Sequence, residues 1–213
     1  MSKIYLEILD KKRQAIFSRL SVFKNSGYLA GGTALALQIN HRKSVDFDVF
    51  VEKPITGYLR KKINKVFGKQ EFYINTSDQI SFKVKDEIGV TFVWYYYPLL
   101  YPSIKTHSLN LASIDDIATD KAETIGRRAV WRDYVDIFFL LKKNIITLEK
   151  IMKLAKRKFQ GEFVETQFLQ QLPYFTDLIV TPMEYINKQY NEQEIKSFLE
   201  KQVRDYLKKR LKI

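Results

Sequence analysis

The stretch GGTALALQINHRKSVDFDVF, Gly31 to Phe50, places two carboxylates, Asp46 and Asp48, one residue apart in an otherwise apolar run. Val45, Phe47, Val49 and Val51 fall on one parity and the two acids on the other. That alternation predicts a half-buried strand over 45–51. Residues i and i+2 of a strand point to the same face, so the carboxylates project side by side. Their mutual repulsion favours a cation between them. The pattern is open to two readings, a solvated strand face or a Mg²⁺ site.

What precedes the acids bears on that choice. Gly31 and Gly32 follow a short predicted strand, YLA, and open a short helix, TALALQIN, capped by Thr33. Glycine lets a ligand approach the backbone, and a helix N-terminus offers free N–H groups to phosphate. Thr33 adds a hydroxyl. A phosphate cradle, a helix and a strand bearing Asp-x-Asp are the parts that nucleotidyl transfer needs, with Asp46 and Asp48 holding the metal. His41, Arg42 and Lys43 lie in the connecting loop, where Arg42 is placed to clamp a phosphate with two donors. His41 is one of only two histidines, which excludes a histidine-cluster metal site, and a loop histidine is expected at the surface.

Bulk properties narrow the class. A chain of 213 residues suits one domain or two small ones, and 46% hydrophobic residues suffice for a core. The absence of cysteine excludes disulfides and thiolate metal sites. The N-terminal MSKIYLEILDKKRQ is charged and unlike a signal peptide, and no apolar run approaches the ~20 residues that span a bilayer. A cytoplasmic protein without membrane contact is expected. A net charge of +12 favours polyanionic partners, nucleotides and nucleic acid first.

Along the chain, a helix is expected over 5–24, closed by NSG with Gly27 as its C-cap. A basic helix is expected at 58–67, and strands at 71–76, 80–85 and 89–97, with Asp86 and Glu87 in a hairpin turn. From about 113 the pattern is helical, with interruptions near Gly126, Gly161, Pro173 and Pro182. The expected fold is α+β, with a mixed-sheet core at 1–110 and a helical region at 111–213.

These residues resemble a family. GGTALAL…HRKSVDFDVF is similar to the first motif of the AbiEii/AbiGii toxin nucleotidyltransferases, within the DNA polymerase beta-like superfamily. SIDDIATDKAETIGRRAVWRDYVDIFFLL, residues 113–141, resembles that family's later motifs: a lysine, an arginine, then Arg-Asp-x-x-Asp. The resemblance implies a polymerase beta-like core, Mg²⁺ at Asp46 and Asp48, and nucleotide contacts at Gly31, Gly32 and Thr33. It also implies that Lys121 and Asp133 belong to the active site, contributed by the helical domain. It further implies a toxin of a toxin–antitoxin or phage-defence pair, with a cognate antitoxin and with tRNA as the favoured acceptor.

Read without the family, Lys121, Thr124 and Arg128 share a helix face if that helix survives Gly126, and Asp133 and Asp136 follow at i and i+3 beside Arg132. The bland account is an ion-pair network docking one helix on another. The family pattern favours function for Lys121, with Arg128 as a nucleotide contact and Asp133 as an acid of the site, and leaves Asp136 structural. LEKIMKLAKRKF sets Lys150, Lys153 and Arg157 opposite an apolar stripe, a face that suits an RNA backbone. WYYYPLLYP suits base stacking, but packing is its expected role.

One element of the superfamily pattern is missing. Such sites commonly take a third carboxylate from the strand beside Asp-x-Asp. Here that strand reads GVTFVWYYY and puts Thr91 there. The reading is a Mg²⁺-dependent nucleotidyltransferase moving an NMP from an NTP to RNA. Its rivals are transfer to a protein or small molecule, and a catalytically silent binding module.

Overall fold

The expected strand over 45–51 forms, but shorter. In a computed structural model that describes residues 3–84 and 87–211, β2 spans Phe47–Val51. Phe47, Val49 and Val51 are buried as the alternation requires. Val45, expected among them, is exposed, because the chain is still a loop there. Asp46 therefore stands just before the strand and Asp48 within it.

The chain divides into two compact units, the first ending at Ser113 and the second beginning at Ile114. The first holds a five-stranded sheet. Its other strands are β1 (Gly27–Ala30), β3 (Phe72–Asn75), β4 (Gln79–Val84) and β5 (Ile88–Trp94), in the spatial order β1-β2-β5-β4-β3. β2 and β5 run parallel, and the other pairs are antiparallel. Register puts Phe47 beside Val90, Val49 beside Phe92, and Ile80 and Phe82 across from Phe92 and Val90. These residues make one apolar face, which aromatic side chains cover: Phe23 on Phe92 at 4.9 Å and Phe67 on Phe82 at 5.5 Å between ring centroids. Such pairs add roughly 0.5–1.5 kcal/mol each beyond area burial. The opposite parity carries Asp48, Thr91 and Ser81 on the other face.

The expected helix over 5–24 is broken. Two 3₁₀ turns, Leu6–Ile8 and Ser21–Phe23, flank α1 (Lys11–Leu20). Asp10 starts α1 by accepting the Arg13 backbone N–H at 2.8 Å, a cap that periodicity did not expose. Gly27, expected as a C-cap, is the first residue of β1. α2 (Gly31–Ile39) ends on Asn40 in the left-handed region, and α3 (Gly57–Phe67) starts at a Thr56 cap. Asp86 lies outside the described residues. β5 stops at Trp94, short of the expected 97. The tyrosines that follow pack on one another and on Phe50, with Tyr95 at 4.4 Å from it.

The second unit is helical: α4 (Ile114–Arg127), α5 (Trp131–Lys142), α6 (Leu148–Phe159), α7 (Glu165–Gln171) and α8 (Glu192–Leu211). Gly126 was expected to interrupt α4, but the helix runs through it to Arg127. The longer break falls at 172–191, which contains Pro173 and Pro182 and no helix. Ile117, Tyr134, Phe138, Ile151, Phe168 and Leu199 are among its buried core residues. No helix among the described residues is long and apolar enough to cross a membrane.

Candidate active site

Two carboxylates and two glycines meet at the start of β2. The Asp46 Oδ1 accepts the Gly89 backbone N–H at 3.0 Å, which ties the acid to the start of β5. A Cβ at Gly89 would stand 2.8 Å from that same oxygen, closer than any side chain permits. Asp48 is cross-strand partner to Ala30, the residue before α2. A Cβ at Gly31 would stand 2.5 Å from Asp48 Oδ2, and Gly31 has φ of +65°. Glycine at 31 is therefore required twice, by the backbone angle and by the acid beside it. The first turn of α2 and the Asp48 carboxylate are immediate neighbours.

The loop before β2 is fastened to that turn. Thr33, expected as the α2 cap, lies inside the helix, and Ala30 takes the cap position. The Thr33 hydroxyl is 2.8 Å from Ser44 Oγ and donates to the Asp46 carbonyl. Arg42 is buried, donates to the Lys43 carbonyl at 3.0 Å, and sets its guanidinium where a Gly32 side chain would be. His41, expected at the surface, is buried. Its chain neighbour Arg42 is buried with it, while Lys43 of the same loop is exposed.

The strand beside Asp-x-Asp is β5, and the residue paired with Asp48 is Thr91. The position that commonly supplies a third acid thus holds a hydroxyl, 3.1 Å from Ser81 Oγ. Ser81 also accepts from Gln79 Nε2 at 2.9 Å. Lys83, on β4, was not singled out in the sequence. Its pKa is raised chiefly by its hydrogen bond and charge contact with Glu87, and the Asp46 charge adds to the effect. Ser81, Gln79 and Lys83 share one parity of β4, and that period was the only sequence signal for them.

In the second unit, Lys121 is buried and binds two acids of α5, Asp133 Oδ1 at 2.6 Å and Asp136 Oδ2 at 2.6 Å. Asp136 is fully buried, while Asp133 keeps partial exposure. Arg128 and Arg132 are exposed at the α4–α5 junction. A second buried lysine, Lys158 of α6, binds Asp116 at 3.3 Å and Asp120 at 2.6 Å, both on α4. That triad was missed, because it joins residues about forty positions apart. On α6, Lys150 binds Asp115 at 2.7 Å, whereas Lys153 and Arg157 are exposed.

Mg²⁺ suits this donor set. It dehydrates reluctantly and is held by one or two carboxylates plus substrate phosphates rather than by an all-protein cage. Asp46 and Asp48 supply two hard oxygen donors, and glycine at 31 and 89 lets the backbone come close to both carboxylates where a Cβ would collide with them. Among the described residues no group of three or more ligating side chains forms a ready-made cage.

The chain matches the family model described as nucleotidyl transferase AbiEii toxin, type IV toxin–antitoxin system, over residues 15–211. It is 34% identical over 208 residues to an uncharacterized protein of Aquifex aeolicus, covering 94% of this chain and 98% of that one. Two solved structures share its fold. MenT4, a nucleotidyltransferase toxin of Mycobacterium tuberculosis, is 14% identical with a TM-score of 0.62, over 89% of this chain and 80% of that one. JHP933 of Helicobacter pylori is 17% identical with a TM-score of 0.57, over 94% of each.

Proposed function

The chain belongs to the AbiEii family of nucleotidyltransferase toxins, and from that premise we propose that it transfers an NMP from an NTP to an RNA acceptor, tRNA first, with Mg²⁺. The observation that carries this reading is the contact between the glycine turn opening α2 and the Asp48 carboxylate. A helix N-terminus that attracts phosphate and a carboxylate pair that attracts a divalent cation stand together, as a nucleoside triphosphate requires. Bound at Asp46 and Asp48, Mg²⁺ would supply neutralisation of the phosphates and polarisation of the reacting phosphoryl group.

The chain's own residues do the rest. The free N–H groups of Gly32 and Thr33 receive phosphate oxygens. Arg42 braces that turn and adds positive charge beneath it. An acceptor hydroxyl forms its bond to the α-phosphorus as the bond to the bridging oxygen breaks, pyrophosphate leaves, and the hydroxyl proton passes to a base. The same reading assigns proton acceptance to Asp133 and charge balance to Lys121, with Arg128 as a further nucleotide contact. A family of type IV toxins also implies a cognate antitoxin and a cytoplasmic site of action.

Incubation with each labelled NTP, Mg²⁺ and either total cell RNA or total protein tests the reading. Label is expected in a small-RNA fraction, and EDTA is expected to abolish it. Label in protein alone would replace the acceptor. Label in neither fraction with any NTP would favour the silent binding module.

A further inference from the structure

At the residue paired with Asp48, this chain departs from a three-carboxylate site, and the hydrogen bonds around that residue give the departure a direction. Thr91 is in register with Asp48 on one side and Ser81 on the other, and all three lie on the sheet face away from the aromatic core. Gln79 Nε2 donates to Ser81 Oγ at 2.9 Å. An amide nitrogen can only donate, so this bond takes up a Ser81 lone pair and leaves the Ser81 proton to be placed. Ser81 is 1% exposed, and a buried hydroxyl has to give its proton to a partner. Thr91 Oγ1, at 3.1 Å, is that partner. The chain of donors runs Gln79 to Ser81 to Thr91, and the half-buried Thr91 keeps its own O–H for a group that comes from outside.

We propose that Thr91 contacts the substrate, its hydroxyl donating to an anionic phosphoryl oxygen of the nucleotide beside Asp48. The inference rests on the nucleotidyl-transfer reading and deepens it. A carboxylate at this position would repel that oxygen and could only bind cation, base or proton. A hydroxyl with its lone pairs turned toward Ser81 offers the opposite polarity. The site then carries two carboxylate charges rather than three. It holds a divalent cation weakly by itself and well with a triphosphate.

Two binding measurements that need no turnover test this. The first is the affinity for an α,β-methylene nucleoside triphosphate with Mg²⁺, and the second is the affinity for Mn²⁺ alone. Thr91→Val keeps the β-branched shape and is expected to weaken triphosphate binding about tenfold, while Thr91→Ser stays within about twofold of wild type, the range of one hydrogen bond to a charged group. Ser81→Ala is expected to cost less, since it removes the relay and keeps the hydroxyl. Thr91→Asp is expected to tighten Mn²⁺ and to weaken triphosphate in metal-free buffer. If Thr91→Val binds triphosphate as wild type does while Asp48→Asn does not, this proposal is wrong and the site reading stands. Unchanged Mn²⁺ affinity in Thr91→Asp would likewise overturn it, because position 91 would not open onto the carboxylates. A wild-type protein that binds no triphosphate overturns both.

Discussion

Each unit carries a closely spaced pair of acids, and the two pairs differ in how far they are buried. Asp46 and Asp48 are half-exposed; Asp46 accepts the Gly89 N–H, and Asp48 stands against the glycine turn of α2. Asp133 and Asp136 grip the ammonium of a buried lysine. Lys158 repeats the second arrangement with Asp116 and Asp120. A carboxylate whose charge is met by a buried lysine at 2.6 Å ties helix to helix. A half-exposed carboxylate beside a helix-opening turn can be reached by a cation and phosphate from solvent. Spacing alone does not distinguish the two. Exposure does.

The largest expected effect tests the first half of that contrast. Asp48→Asn should lose about a thousandfold or more in transfer, the several kcal/mol that a bound metal contributes, with its unfolding curve unchanged. Near-wild-type transfer would mean that the exposed pair is only a solvated face. The next tests the second half. Lys158→Ala leaves Asp116 and Asp120 buried without their cation and should cost about 3–5 kcal/mol in urea unfolding. Pairing it with Asp116→Asn and Asp120→Asn should recover part of the loss. A cost near zero would show that the triad is relaxed by water.

Asp133 is the residue on which the comparison sharpens. It binds Lys121 as Asp136 does, yet it keeps the exposure that Asp136 lacks. If it accepts the proton, Asp133→Asn should slow transfer about 100-fold while triphosphate affinity holds. If it only docks α5 on α4, stability should fall and turnover per folded molecule should not.

The smallest effect concerns RNA. Neutralising Lys150, Lys153 and Arg157 by pattern alone should remove three phosphate contacts. Because Lys150 is engaged by Asp115, the slope of log affinity against log salt should fall by about two rather than three. An unchanged slope would leave that α6 face solvated.

What was readable in the sequence follows from the range of the interactions. β2 and its acids, the helical second half and the neighbour Thr91 all follow from period and order, which are local. The cap at Asp10 and the 3₁₀ turns around α1 were not readable, because apolar spacing continues across them. Thr33 was taken for a cap since Ser and Thr ordinarily are. Its hydroxyl instead reaches across thirteen residues to the Asp46 carbonyl. A loop position suggests exposure for His41, yet it is buried, and the burial of Arg42 beside it depends on Gly32 leaving room for a guanidinium. The Lys158 triad needed tertiary packing to become visible.

The parallel pairing of β2 with β5 also sets an order of assembly. The hairpins β3–β4 and β4–β5 close over short loops, whereas Asp46 meets Gly89 across 43 residues. Loop closure grows costlier with length, so the local hairpins are favoured to form first and β2 to be stitched in afterwards. A ribosome that has read only as far as Val84 has made both acids and the α2 turn, but not the strand that fixes their register. The emerging polypeptide therefore holds its two acids out of register until β5 is threaded beside β2.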